Sequence, residues 1–413
     1  MQSKLTPKDR ERYEIIRSSL AGDITNAEAA ARLRLKIRQV QRLKRSVKNK
    51  GEAGIIHANR GKRSNRAIAP ETKVAVVTFM QQDKHRDFGP TFAQEQLAKR
   101  KIVLAIETLR TILIREKLWK PGKRRTPGLH REWRERMPMR GDLVQFDGSY
   151  HDWFEDGSEA CLLAAIDDAT SRVDALFEDN EGVHAVFRFW WRYIERHGRP
   201  VAIYLDKFST YKINHKAAVD NAELMTQFER AMHELDVRVI CANSPEAKGR
   251  VERLFGTLQD RLVKELRLVE VKDRDRANGF LAETYLPEHN GRFTVVARKA
   301  GNAHRPLTED LRVCLPSIFS VQSKRRVNND YTIQFKNQWY QLKATKGVAI
   351  YKGDIVTIEE RLDGSLSIRL KEIYLEYEVL PERPKSKAMV PALVRKPSTW
   401  KPPSNHPWRN FNF

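Results

Sequence analysis

The chain has 413 residues, 40% of them hydrophobic, and a formal net charge of +23. That length supports two to four domains with real cores, and no apolar run reaches the ~18–20 residues of a membrane-spanning helix, so no membrane partner is expected. The N-terminus is charged and lacks a signal-peptide core. The three cysteines, Cys161, Cys241 and Cys314, stand far apart, which excludes a disulfide or zinc framework and fits a reducing cytoplasm.

The charge is unevenly placed. Residues 1–140 hold 35 Lys and Arg against 14 Asp and Glu, whereas residues 141–300 hold 22 against 28. A basic first third reads as a polyanion-binding arm. The acidic middle suits cation binding instead.

Along the first third, Tyr13, Ile16 and Leu20 fall at helical spacing and Gly22-Asp23 ends the run. Thr25 or Asn26 caps a short helix from Ala27 to Leu33. A helix from Ile37 to Val47 follows, with Val40 and Leu43 inward and Arg38, Gln39, Gln41, Arg42, Lys44 and Arg45 outward. Over residues 1–50 this is a helix-turn-helix layout, and Arg and Gln are side chains that read guanine and adenine edges. The pattern also suits any small three-helix bundle. Residues 51–70 form a basic linker carrying Arg60, Lys62, Arg63 and Arg66. It suits a narrow minor groove and a solvated tether equally.

A second all-α helix-turn-helix unit, 71–119, is predicted from helices at 71–80, 92–99 and 106–118, so that the two units would read DNA in two parts. Leu109, Ile112 and Leu113 form its core, and Thr108, Arg110, Thr111 and Arg115 are its DNA-facing candidates. Residues 120–140 are a second basic linker in which Lys123, Arg124 and Arg125 are expected to meet phosphates.

From Asp142 the pattern becomes mixed. Strands are predicted at 143–146, 161–166, 173–177, 201–205 and 237–241, and helices at 183–197, 221–235 and 247–268. Three strands, helix, strand, helix, strand, helix is the order of an RNase H-like α/β core, here 141–300. A further helix is predicted at 274–290, and Ala303 to Leu307 marks a linker, 301–317. Short alternating runs at 332–335, 339–342, 348–351, 355–359, 366–370 and 374–379 predict a small β-barrel over 318–380. The basic Pro-rich tail, 381–413, with Trp400, Trp408 and Phe411, has the composition of a segment that orders on a partner subunit or on DNA.

Three carboxylates stand out. Asp147 and Asp206 each close an apolar β-type run, and Glu252 lies near the start of a helical one. In the strand order above, the first and fourth strands lie side by side, which would bring both aspartates together with Glu252 from a packed helix. Hard cations such as Mg²⁺ take oxygen ligands, and two ions about 3.5–4 Å apart can serve both oxygens of an in-line phosphoryl displacement. Three crowded carboxylates repel one another until a cation binds. Among the rivals, Asp152 and Asp156 read as solvated turn residues and Asp167-Asp168 as a turn before Thr-Ser-Arg. Glu246, in a loop after Pro245, is the main competitor for Glu252. His151 is open between orienting a ligand and a surface role, and Lys207 between phosphate contact and surface. Lys248, Arg250 and Arg253 flank Glu252 as candidate phosphate contacts. Trp153, Trp190 and Trp191 read as core or interface rather than base-stacking residues.

Taken together, these motifs resemble a bacterial insertion-sequence DDE transposase with a retroviral-integrase-type catalytic core. The resemblance rests on Asp147-Gly-Ser-Tyr-His151-Asp-Trp-Phe154, Asp206-Lys-Phe-Ser209 and the run from Cys241 to Arg253, and it covers about residues 8–310. It implies that Asp147, Asp206 and Glu252 are catalytic metal ligands for Mg²⁺ or Mn²⁺, two ions per site. It implies strand cleavage at terminal inverted repeats and strand transfer into target DNA. The partners implied are double-stranded DNA and further copies of the chain, as a dimer or tetramer joining two ends, in a bacterial cytoplasm at the nucleoid. The wider superfamily carries Asp-Asn-Gly where this chain has Asp206-Lys207-Phe208; the nearer branch has Lys there too. A catalytically inactive repressor and a hydrolytic RNase H-like nuclease are the other classes compatible with these residues.

Overall fold

Two threonines start the first two helices by the same device. In α1 (Pro7–Ala21) Thr6 Oγ1 accepts the Asp9 N–H, and the Asp9 carboxylate takes the Thr6 N–H in return; Thr25 and Glu28 repeat the exchange on α2 (Asn26–Leu33). Each such box satisfies two of the four N–H groups a helix start leaves orphaned. The computed structural model describes residues 5–57, 59–60, 67–122, 135–206, 221–242, 249–382 and 403–407, with the backbone only at 206, 221–226 and 242. The chain separates into two units, 1–122 and 123–413.

In the first unit, α1 and α2 pack with α3 (Ile37–Lys50) around Ile16, Ala29, Ala30, Val40, Val47 and Ile55. Lys44, expected to face outward, turns in: its Nζ donates to Ser19 O at 2.7 Å and to Asn26 Oδ1 at 3.0 Å, tying three helices together. Three further helices follow, α4 (Pro70–Met80), α5 (Pro90–Lys99) and α6 (Ile106–Arg115). Leu109, Ile112 and Leu113 are buried there as expected. Phe79, His85, Phe88 and Phe92 form an aromatic cluster between α4 and α5.

The second unit is built on a five-stranded sheet in the order β3-β2-β1-β4-β5. The strands are β1 (Val144–His151), β2 (Ala160–Asp167), β3 (Val173–Glu178), β4 (Ala202–Asp206) and β5 (Arg238–Ala242). β1, β2 and β3 form an antiparallel meander, whereas β4 joins β1, and β5 joins β4, in parallel. That mixed order is the one expected of an RNase H-like core. Side chains alternate across a strand, so the sheet feeds two apolar clusters. Val144, Phe146, Cys161, Leu163 and Ala165 meet α7 (Val183–His197) and α8 (Asn221–Glu234) on one face. Leu162, Ala164, Ile166, Val173 and Phe177 meet α9 (Gly249–Leu268) on the other. Trp153 and Trp190 are fully buried in these clusters, in line with their reading as core.

The helix predicted at 274–290 is interrupted. α10 (Arg274–Phe280) and α11 (Leu286–Phe293) are joined by a π turn over Leu281–Tyr285, where the Leu286 N–H reaches back to Leu281 O. Pro287 explains the widening, since it cannot donate to the carbonyl four residues back and its ring clashes there. The consequence is geometric. Asn278 pairs its amide with Phe177 N–H and C=O at 2.7 and 2.9 Å, and Asn290 does the same with Val173 at 2.8 Å. Twelve residues at 3.6 per turn would leave the two amides about a third of a turn apart. The π turn absorbs about one residue of rotation and puts both on the exposed edge of β3. An open edge strand invites pairing with another chain, and here side chains occupy it.

Residues 301–317, expected as a linker, are instead stitched to the core. Ala303 N–H donates to Arg140 O at 2.7 Å, and Arg199 and Arg305 exchange backbone hydrogen bonds at 2.8 Å. α12 (Glu309–Ile318) then sends Leu315 and Ile318 into the same cluster as α7. The barrel expected over 318–380 is not a closed one among the described residues. β6 (Val321–Arg326), β9 (Ile355–Glu360), β10 (Leu366–Leu370) and β11 (Ile373–Leu375) form one sheet; β7 (Thr332–Phe335), β8 (Gln338–Leu342) and β12 (Tyr377–Leu380) form another. Both cover a shared core that includes Ile333, Phe335, Val356, Ile358 and Ile368. The strand predicted at 348–351 is reduced to a single bridge, Thr345 to Val348, and β6 carries no alternating apolar pattern, its second half being Lys324-Arg325-Arg326. Fully buried Glu359 anchors the four-stranded sheet to α12, accepting from Ser317 Oγ at 2.8 Å and Tyr374 Oη at 3.1 Å, with Arg369 beside it. Among the described residues no helix is long and apolar enough to cross a membrane.

Candidate active site

β1 and β4 run parallel with Val144 opposite Ile203 and Gln145 opposite Tyr204, an offset of 59 positions. The same offset separates Asp147 from Asp206, so the two positions stand level on adjacent parallel strands. Across β1, Asp147 pairs with Ala164, whose side chain belongs to the cluster under α9. Directly opposed residues share a face, which puts the half-buried Asp147 carboxylate on the α9 side of the sheet. Glu252 is exposed in the first turn of α9, where the positive end of the helix dipole favours a carboxylate.

The neighbours of Asp147 are tightly fitted. A Cβ at Gly148 would come within 1.6 Å of Glu181 Oε1, so only glycine lets that side chain lie over the strand. Beyond it, burial first and then the charge of Glu181 push the Cys161 thiol above its ordinary range, leaving it a neutral, inert core group. His151 packs its ring edge-on to Trp153.

The rivals fall where turn chemistry sends them, with one exception. Asp152 accepts from Asp156 N–H at 3.0 Å, and Asp156 from Ser158 N–H at 2.9 Å. Asp167 and Asp168 do sit at a turn, but both are buried rather than solvated, at 3% and 0% exposure. Asp167 caps the turn through Thr170 N–H and also accepts from Gly141 N–H, at 2.8 and 2.7 Å. Asp168 accepts from Gln145 Nε2 at 2.9 Å, Met137 N–H at 2.8 Å and Arg250 Nε at 2.8 Å. Arg250, read from the sequence as a phosphate contact, is therefore engaged inward, its side chain 12% exposed. Arg253 is exposed and folds its Nε onto Gly249 O at 2.7 Å. The roles of Gln145 and Asp168 were missed. The usable signal was a glutamine between Val144 and Phe146, two residues before Asp147 on the same strand face.

Glu246 and Lys248 lie outside the described residues, as does the Asp206 side chain. Among the described residues no three His, Cys, Asp or Glu side chains form a metal-holding group. The two described carboxylates offer oxygen donors only, the kind a hard cation takes, one from within β1 and one from the first turn of the helix packed across it.

In the first unit, Arg38, Gln41, Arg42 and Arg45 are all exposed on α3, and their spacing makes one helical stripe. Gln39 is exposed too, but its Oε1 accepts from Lys36 N–H at 3.0 Å and helps start the helix. Arg60 is committed elsewhere, since its guanidinium grips Asp9 through two bonds of 2.5 and 3.1 Å. Those bonds hold the Asp9 carboxyl well below the usual carboxylate range. On α6, Arg110 pairs with Glu107, and Thr111 Oγ1 donates to Glu107 O at 2.8 Å. Thr108, Thr111 and Arg115 line a groove with Ile68, Pro70 and Lys73. Lys62, Arg63, Arg66, Lys123, Arg124 and Arg125 lie outside the described residues.

The chain is 35% identical to a Sinorhizobium fredii protein named as a transposase, y4bF, over 91% of this chain and 81% of that protein. It is 25% identical to the transposase for insertion sequence IS1202 of Streptococcus pneumoniae, over 98% of this chain and 94% of that one. No family model matches the chain. Among solved structures, a chain of the simian T-cell lymphotropic virus intasome with PP2A regulatory subunit B56 gamma aligns at 16% identity and TM-score 0.33, covering 70% of this chain and 96% of that one. The HTLV-2 integrase catalytic core domain in complex with magnesium aligns at 17% identity and TM-score 0.28, covering 39% of this chain and 94% of its own. At such TM-scores the overlays are loose, and the strand order described above stands on its own pairings.

Proposed function

This chain belongs to the transposases, and from that premise we propose that it is a DDE polynucleotidyl transferase of an insertion sequence, cutting DNA at the terminal repeats of its own element and joining the ends to target DNA. The observation that carries the site is the register: the spacing of Asp147 and Asp206 equals the offset between β1 and β4. Asp147, Asp206 and Glu252 are the ligands we assign to a divalent cation, Mg²⁺ or Mn²⁺. When bound, that cation supplies charge neutralisation on both sides of an in-line displacement, most fully as a pair of ions.

The chain's own residues bind and align. Asp147 and Asp206, level on neighbouring strands, fix one edge of the site, and Glu252 closes it from α9. In the first step water attacks a phosphodiester and a 3′-hydroxyl leaves. In the second that hydroxyl attacks a target phosphodiester, so one P–O bond forms as another breaks. Arg38, Gln41, Arg42 and Arg45 are the side chains we assign to base and phosphate contacts in the terminal repeat, with Arg115 of α6 as a further contact. Two ends require at least two copies of the chain.

The test is a strand-transfer assay on labelled duplexes from the flanks of the element, in Mg²⁺ and in Mn²⁺. Wild type is expected to nick and join. Asp147→Asn and Glu252→Gln are expected to bind ends but do neither. Binding without cleavage by wild type in either metal would point to a repressor, nicking without joining to a nuclease, and cleavage surviving Glu252→Gln to Glu246 as the third ligand.

A further inference from the structure

Asp168 is fully buried, and besides the Met137 N–H it accepts hydrogen bonds from the two elements that carry Asp147 and Glu252. On the strand side its partner is Gln145, itself 0% exposed, two residues before Asp147 on the same face of β1. On the helix side its partner is Arg250, two residues before Glu252. Gln145 also links the two directly, since its Oε1 accepts the Val251 N–H at 3.3 Å. That N–H is one of the orphan donors of the first turn of α9. Strand, buried carboxylate and helix start are thus one connected set of hydrogen bonds. Arg136 lies over the same turn, donating to Asp168 O at 3.1 Å and Ser171 Oγ at 2.7 Å.

A helix packed on a sheet through apolar side chains alone can slide by fractions of an ångström, because leucines and valines tolerate small shifts. Directional bonds do not, and a buried network that is well satisfied rigidifies its members. Metal ligands have to be held to within about 0.5 Å of the productive geometry. We propose that Gln145, Asp168 and Arg250 are positioning residues that set the spacing between the Asp147 and Glu252 carboxylates, and through it the affinity of the site for a divalent cation. The proposal rests on the reading of those two carboxylates as metal ligands. It also takes Arg250 out of the set of phosphate contacts.

The experiment uses the full chain and Mn²⁺ alone, without DNA. The free-ion electron paramagnetic resonance signal gives the Mn²⁺ dissociation constant, and thermal melting reports folding. Gln145→Leu removes both of its hydrogen bonds at similar volume and is expected to weaken Mn²⁺ binding by about 10-fold, the low end for losing a group bonded to a ligand itself, because Gln145 acts one bond further out. Arg250→Lys keeps the charge but loses the guanidinium geometry and is expected to weaken binding by a smaller factor. A folded Gln145→Leu protein with wild-type Mn²⁺ affinity overturns the proposal. Should that variant fail to fold, Arg250→Lys decides: unchanged Mn²⁺ affinity overturns it, weakened affinity supports it. Asp147→Asn in the same titration tests the underlying reading. If it binds Mn²⁺ like wild type, the metal assignment falls; if it loses binding while Gln145→Leu does not, only the positioning proposal falls.

Discussion

Acid should loosen the second unit through His304. This side chain is 9% exposed, with Nδ1 2.6 Å from Asn302 Oδ1 and Nε2 2.9 Å from Tyr193 Oη. An amide oxygen only accepts, so Nδ1 carries the proton and Nε2 receives one from the tyrosine. The ring fits because Gly141 has φ 86 and no side chain; a Cβ there would lie 2.3 Å from Nδ1. Burial first, then the charges of Arg140 and His197, draw the His304 pKa from 6.5 down to about 4. Above the unfolded value both states are neutral and the group leaves stability untouched. Between the two values the unfolded chain takes a proton that the native one refuses, so stability falls with pH, and below about 4 it levels off. The slope is about 1.4 kcal/mol per pH unit, so pH 5 should cost about 2 kcal/mol relative to pH 7. The assay is denaturant unfolding of wild type and His304→Gln at both pH values, followed by the fluorescence of buried Trp153 and Trp190. Wild type should lose about 2 kcal/mol more than the variant over that interval. Equal losses would refute the linkage.

His289, 7% exposed and likewise drawn to about 4 by burial and then by Arg261 and Arg292, should add a loss of the same sign; an identical pH slope in His289→Gln would count against it. Leu258→Ala, at a fully buried side chain in the middle of α9, should cost about 2–5 kcal/mol in urea unfolding, and a cost under about 1 kcal/mol would mean the α9 face is not the packed core described. One alanine inserted after Glu283 should swing Asn290 about 100° off the β3 edge; hydrogen exchange at the Val173 amide should quicken, and unchanged protection would refute the role given to the π turn. Asp9→Asn should release Arg60 toward phosphate and steepen the log–log salt dependence of end binding by about 0.9, whereas an unaltered slope would leave Arg60 a purely internal residue.

Much of this protein was legible locally. The bounds of α7, predicted and found at Val183–His197, follow from a helical apolar stripe ending at glycine. A capping side chain at Thr25 or Asn26 announces α2, and Thr25 is the one that takes the role. These are effects of neighbours within a few positions, which order along the chain records. Where the reading missed, the cause was non-local. Nothing near Lys44 says that Ser19 and Asn26 will meet its ammonium, and nothing near Arg60 says that Asp9 will claim it. Residues 301–317 look like a linker until α7 offers Leu315 and Ile318 a surface. Asp168 reads as a turn residue because turn chemistry is local, whereas its burial depends on a helix that starts 81 positions later, at Gly249. Sequence alone determined most helices and the five strands of the central sheet. Only the tertiary structure decided which charges are spent inside, because a charge pairs with whatever the packed backbone brings within about 3 Å of it, and that distance has no counterpart in sequence separation.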